Sequence, residues 1–60
     1  MTLKQLRIKN LLSVRELSEK TGICEDTIWR WERGDFKPNM ANLQKLVAVL
    51  GEDVVDCFEY

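Results

Sequence analysis

The sequence predicts an all-α protein, a compact bundle of five short helices in which residues 1–60 form a single domain. Two observations carry this prediction. Each of the three glycines follows a segment with helical spacing of apolar residues, where a helix is expected to end. Residues that cap helix N-termini precede most of these segments. The predicted helices span about residues 3–10, 14–21, 25–33, 40–50 and 54–58.

Capping residues mark where the first, second and fourth helices begin. Thr2 with Gln5 and Ser13 with Glu16 both have the spacing of a capping box, in which each residue of the pair satisfies the backbone N–H of the other. Asn39 precedes the fourth helix and is a suitable N-cap. These signals are local, so they predict helix starts independently of how the helices pack.

Glycines mark where helices two, three and four end, at Gly22, Gly34 and Gly51. Gly22 is the most informative, because the chain must turn sharply there and glycine enters the left-handed region freely. Asp53 and Asp56 place acidic side chains at the start of the last helix, where the helix macrodipole favours them.

Apolar residues on the inward helix faces form the predicted core. Trp31 belongs to it because it lies three residues after Ile28, whereas Trp29 points away and is expected to be exposed. Ser18 lies on the same side as Leu17, and its small size lets two helices cross closely. The predicted core residues are Leu3, Leu6, Leu12, Leu17, Ile23, Ile28, Trp31, Leu43, Leu46, Val47, Leu50, Val54 and Phe58.

Several function classes find no support in the composition. The chain has no histidine and only two cysteines, Cys24 and Cys57, too few for a zinc quartet or a disulfide framework. We expect free thiols in a reducing cytoplasm, no bound metal and no cofactor. No apolar stretch approaches a membrane span, and no secretory signal pattern opens the chain. No nucleophile is paired with a base, so we expect no enzyme.

The second and third predicted helices are separated by one glycine turn at Gly22. A helix, a tight turn and a crossing helix form the unit that places a recognition helix in the major groove of DNA. A lone glycine turn would be weak support, since any helical hairpin can contain one.

The wider pattern resembles the lambda-repressor-like, Cro-type (XRE) helix-turn-helix family over residues 3–58. This resemblance implies a five-helix fold in which helix two lies across the DNA backbone and helix three is the recognition helix. It further implies sequence-specific binding of duplex DNA by a transcriptional regulator of the repressor kind. The residues that carry the resemblance are Leu12-Ser13, Leu17, Gly22-Ile23, Thr27-Ile28, Trp31-Glu32-Arg33-Gly34, Pro38, Leu43 to Leu46 and Leu50-Gly51.

The resemblance also implies roles for individual residues. Arg7 and Glu32 would form a structural ion pair between helix one and the end of helix three. The expected base contacts are Glu25, Asp26, Thr27, Trp29 and Arg30. The expected phosphate contacts lie near the starts of helices two and four and at the end of helix three, namely Ser13, Arg15, Arg33, Lys37, Asn39 and Met40.

Some residues depart from the family pattern. Val14 and Glu25 stand where phage repressors of this type often carry glutamine, and Cys24 stands where a serine or threonine cap is usual. Glu25 and Asp26 repel phosphate, although the Glu25 carboxylate could accept a hydrogen bond from cytosine N4. The preferred DNA sequence therefore does not follow from the resemblance.

The charge leaves a second function open. The net charge is −1, whereas DNA-binding domains are usually basic. Residues 51–60 carry four acids and no base, which leaves nine bases and six acids in residues 1–50, a charge of +3. The alternative to a DNA-binding regulator is a protein-interaction module on the same fold with weak or lost DNA binding.

Three groups of residues have two interpretations each. Arg30 would contact guanine or would pair with Asp26 one turn earlier, and Trp29 would contact a thymine methyl group or a protein partner. At the C-terminal end, Val55, Phe58 and Tyr60 would form a weak homodimer. Alternatively, Phe58 closes the core and Tyr60 is frayed.

Overall fold

Five α-helices make up the regular structure of residues 1–58, which are the residues that the computed structural model describes. Those residues contain no strand, so the predicted all-α class and the order of five helices are confirmed. The helices are α1 (Leu3–Lys9), α2 (Val14–Thr21), α3 (Glu25–Arg33), α4 (Met40–Leu50) and α5 (Asp53–Asp56).

The predicted N-terminal caps are present. Thr2 and Ser13 each accept a hydrogen bond from the backbone N–H three residues later, and Gln5 and Glu16 accept in return from the cap N–H. The Asn39 side chain accepts from the Asn42 N–H at 2.8 Å. Each of these bonds satisfies a donor that the first helical turn would otherwise leave unpaired.

Three helix boundaries differ from the prediction, namely the end of α1, the end of α5 and the start of α5, which begins one residue early at Asp53. α1 stops at Lys9 because Leu11 takes a left-handed conformation with φ 59°. α5 covers only Asp53–Asp56, because the N–H groups of Cys57 and Phe58 donate to carbonyls three residues earlier, which tightens the end into a turn.

A single apolar cluster holds the helices together, and the predicted core is largely confirmed. Leu12 and Val47 are only half-buried at its edge, whereas Val14, which was not predicted, is buried. Val14 lies on the same side of α2 as Leu17 and Thr21, at intervals of three and four residues, so it points inward. α2 packs against both α3 and α4, and α1 contacts α3 and α5.

Candidate nucleic-acid interface

The turn between α2 and α3 is fixed by hydrogen bonds as well as by glycine. Gly22 has φ 73°, and its N–H donates to the Ser18 carbonyl at 2.8 Å. The Ser18 hydroxyl donates to the Ile23 carbonyl at 2.5 Å. The Thr21 hydroxyl donates to the Leu17 carbonyl at 2.7 Å and accepts from the Ile23 N–H at 3.2 Å. Two hydroxyl groups therefore help to hold the turn between the two helices.

Sequence analysis missed this role of Ser18 and Thr21. Both hydroxyls lie in the last turn of α2, immediately before the glycine. A serine or threonine in this position is the signal that could have identified them, because short hydroxyl side chains bond readily to nearby backbone groups.

α3 has one buried and one exposed face. Ile28 and Trp31 point into the core, while Trp29 is 50% exposed. Of the predicted base contacts, Thr27 is half-buried and the others are exposed on the free face of α3: Glu25, Asp26, Trp29 and Arg30. The structure thus brings the predicted base-contact residues together on one short helix.

Arg30 has two partners. Its Nε atom lies 3.1 Å from Oδ2 of Asp26, one turn earlier on α3. Its guanidinium carbon lies 5.9 Å from the centre of the Phe36 ring, on the loop after α3. The Asp26 pairing, which was one of the two interpretations of Arg30, is present, and the aromatic contact is an addition that sequence reasoning did not find.

The predicted phosphate contacts all lie on the surface of the protein. All six are exposed: Ser13, Arg15, Arg33, Lys37, Asn39 and Met40. Arg15 pairs with Glu19 at 3.2 Å, and Arg33 pairs with Asp35 at 2.9 Å. Exposed ion pairs of this kind are worth about 0–1 kcal/mol, so a phosphate could displace either carboxylate.

At the start of a capped helix, some backbone N–H groups donate to the capping side chain and the others remain open to solvent. At α2, Ser13 Oγ accepts from the Glu16 N–H at 3.0 Å, and Glu16 Oε1 accepts from the Ser13 N–H at 3.0 Å. Helix geometry leaves the next N–H groups, those of Val14 and Arg15, as donors suited to an anion. The hydrogen bonds that the Ser13 N–H and the Ser13 hydroxyl donate to the Glu16 carboxylate hold the pKa of that carboxyl below its usual value.

The two cysteines are free thiols within the described residues. Cys24 is exposed at the N-cap of α3, where its side chain makes no capping hydrogen bond within residues 1–58. Burial raises the pKa of the partly buried Cys57 thiol. α3 therefore begins without the side-chain cap that α2 and α4 have.

Arg7 and Glu32 form a buried ion pair that connects α1 to the last turn of α3. Arg7 Nε lies 2.9 Å from Glu32 Oε2, and Nη2 lies 3.3 Å from Oε1. The side chains are 9% and 5% exposed. Arg7 Nη1 also donates to the Leu12 carbonyl at 2.8 Å. This arrangement fixes α3 against the rest of the bundle.

The C-terminal end offers less surface to a second copy than predicted. Phe58 is buried, and its ring packs edge-to-face against Trp31 with centroids 6.3 Å apart and planes at 77°. Phe58 therefore closes the core, the second of its two interpretations, and is not available as an exposed dimer anchor. Val55 is half-buried, and Tyr60 lies outside the described residues.

The described residues were also compared with what a metal site and a membrane-spanning helix require. Among residues 1–58, no group of histidine, cysteine and acidic side chains is arranged to hold a metal ion. No helix in the described part of the chain has both the length and the apolar character that crossing a membrane requires.

The comparisons with known proteins agree with the arrangement of α2 and α3. A family model described as a helix-turn-helix matches residues 3–56. No curated protein and no solved structure matches the chain significantly. A glycine turn joins α2 and α3, and each of these helices has one buried face. Because the family model matches nearly the whole length, the chain belongs to the lambda-repressor-like, XRE-type helix-turn-helix family, whose members are DNA-binding domains typical of transcription regulators.

Proposed function

We propose that the protein binds duplex DNA sequence-specifically as a transcriptional repressor, with α3 in the major groove. The observation that supports this most directly is the division of α3 into two faces. One face is anchored in the core through Ile28 and Trp31, and the other presents polar side chains with Arg30 among them. A helix held in this way can enter a groove without losing its packing.

Base contacts are assigned by the chemistry of each exposed side chain. Arg30 would donate to guanine O6 and N7 through two nitrogens, and Glu25 would accept from cytosine N4. Trp29 would contact a thymine methyl group. Asp26 would act mainly on Arg30, and half-buried Thr27 would offer only a limited contact.

Phosphate contacts would come from two helix starts and a loop. The backbone N–H groups after Ser13 and Asn39 would bind phosphate oxygens, supported by the positive end of each helix dipole. Arg15, Arg33 and Lys37 would supply the positive charge that phosphate binding requires.

The test starts with a gel shift on random duplex DNA at low salt, where backbone-driven binding is strongest, followed by selection of bound sites from a random pool. Arg30→Ala should lose about 1–3 kcal/mol on the selected site and relax the preference at one base pair. Lys37→Ala should weaken binding to all sequences alike and lower the salt slope by about one charge. Lys45→Ala, an exposed lysine on α4, is the matched control and should change neither property.

The alternative is a protein-interaction module, and exposed apolar side chains favour it. Trp29 is half exposed, and Phe36 and Met40 are 57% and 63% exposed. Large exposed apolar groups often mark contact surfaces for proteins. If the wild-type protein binds no duplex at low salt, the groove assignment is wrong and the face around Trp29 becomes the candidate partner surface.

A further inference from the structure

Arg30 is contacted from two directions by residues of different elements. Asp26 approaches Nε from the preceding turn of α3, at 3.1 Å. The Phe36 ring comes from the loop between α3 and α4, with its centre 5.9 Å from the guanidinium carbon. A carboxylate and an aromatic ring both favour a guanidinium group, the first by charge and the second by the negative face of its π-system.

The atom that Asp26 approaches matters for what the arginine can still do. Guanine offers two acceptors, O6 and N7, in the plane of the base, and an arginine meets both with two parallel N–H groups. An arginine held at Nε keeps its terminal nitrogens for that purpose. Arg33 differs, because its terminal Nη2 is the atom that lies 2.9 Å from Asp35.

We propose that Asp26 and Phe36 are positioning residues that hold the Arg30 guanidinium ready to contact one guanine in the major groove. The proposal rests on the proposed function. It explains why α3, the helix that would enter the groove, carries the acidic residue Asp26. A free arginine side chain has many conformers and loses them on binding, so an arginine that is already ordered binds with a smaller entropic loss. Asp26 then contributes to specificity although its charge repels the phosphate backbone.

The Asp26→Asn variant separates the repulsion of phosphate by Asp26 from the positioning of Arg30, because the two act on DNA binding in opposite directions. Removing the negative charge should raise affinity for random duplex, since less charge opposes the phosphates. Releasing Arg30 should lower the preference for guanine at the base pair that Arg30 contacts by about two- to fivefold, the range that an exposed ion pair can supply. A purely electrostatic role for Asp26 would raise affinity for all sequences and leave that preference unchanged.

The Phe36→Leu variant tests the second contact without changing any charge. We expect the guanine preference to fall while the salt slope of binding stays the same, because the number of phosphate contacts does not change. Phe36 is largely exposed, so the fold should be retained, which circular dichroism and the melting temperature would verify.

The experiment measures binding of each variant to the selected site and to the same site with the guanine replaced. Arg30→Ala first identifies the base pair. In that background, Asp26→Asn should have no further effect on the preference, since the residue acts only through Arg30. Glu52→Gln is the matched control, an exposed carboxylate at the start of α5 with the same change in charge, and it should leave the preference intact.

The outcomes distinguish this inference from the proposed function. If Arg30→Ala relaxes one base pair but Asp26→Asn and Phe36→Leu do not, Arg30 contacts DNA without positioning residues and the inference is overturned alone. If the wild type binds no duplex, both fail. A loss of guanine preference in both positioning variants, with higher random-duplex affinity only for Asp26→Asn, supports the inference.

Discussion

Trp29 and Trp31 show how strongly the position of a single residue on a short helix decides its role. Residues two apart on an α-helix point about 200° from each other. Trp31 is 5% exposed and packs against the Phe58 ring, whereas Trp29 is 50% exposed. One indole therefore stabilises the fold, and the other is available for contact with a partner.

Alanine substitution of each tryptophan should give very different stabilities. Trp31→Ala should lower the free energy of unfolding by about 3–5 kcal/mol, the usual loss for a large buried aromatic side chain. Trp29→Ala should leave the melting temperature nearly unchanged because its side chain is half in water. Thermal denaturation of the two variants checks this, and equal melting temperatures would contradict the assigned faces of α3.

The Arg7–Glu32 pair should behave as a unit. Glu32→Ala leaves the Arg7 guanidinium buried without its carboxylate and should cost about 3–5 kcal/mol. Arg7→Met combined with Glu32→Leu should recover much of that loss, because neither charge then remains. Recovery should stop short of the wild type, since the Leu12 carbonyl loses its donor. Urea unfolding of the full set of variants measures the coupling, and strictly additive single effects would exclude an interaction.

At the scale of the helices, two similar capping boxes differ in one titratable group. The box at α1 uses Gln5, and the box at α2 uses Glu16. The pKa of Glu16 is lowered by its hydrogen bonds with Ser13. The ionised carboxylate is therefore the form that stabilises the start of α2, where it is also favoured by the helix dipole.

Acidification should weaken α2 through Glu16. Because the folded pKa lies below the unfolded one, the stabilisation is complete above the unfolded pKa and disappears as the pH falls through the folded pKa. Glu16→Gln keeps an acceptor but does not titrate. The difference in unfolding free energy between wild type and Glu16→Gln should therefore shrink on acidification, as measured by urea unfolding over a pH series.

The α1 box supplies the control for this prediction. Gln5→Glu places a titratable group in the same geometry and should introduce a pH dependence of the same sign. A constant difference between wild type and Glu16→Gln across the acidic range would show that the capping hydrogen bonds do not depend on ionisation.

The helices and their caps could be predicted from sequence because the signals are local. Ser13 with Glu16, Asn39 and the glycines act within one helical turn of themselves, so no knowledge of packing is needed. Val14 was not predicted as a core residue, although its spacing of three residues from Leu17 places it on the inward face of α2. The Arg30–Phe36 contact joins a helix to a loop whose path depends on the packed core, so no local pattern predicts it.

At the scale of the whole molecule, one copy of the domain would give only one set of base contacts if α3 is the recognition helix, as proposed. Tight, specific binding by such domains usually involves two half-sites about one turn of DNA apart, approached by two copies. The charge distribution suits this arrangement, since residues 51–60 carry four acids and no base, whereas residues 1–50 carry a charge of +3. The acidic end would then face away from phosphate.

We therefore expect weak self-association through the α5 end, with half-buried Val55 as the candidate contact among the described residues. Sedimentation velocity should detect dimers at high protein concentration and on DNA with two half-sites. Val55→Lys should reduce the dimer fraction without changing binding to a single half-site, because α5 is separate from the assigned groove contacts. A strict monomer both free and on DNA would remove this prediction.

The ion pair between α1 and α3 has a consequence for how the surface of α3 behaves over time. If α3 swung away from the bundle on its own, Glu32 would leave its buried partner and Arg7 would remain as a lone charge in an apolar environment. We therefore expect partial opening to be disfavoured relative to complete unfolding, with α1 and α3 unfolding together. If α3 enters the groove as proposed, the protein would meet DNA with a preformed surface, and recognition would begin without a search among conformations of α3.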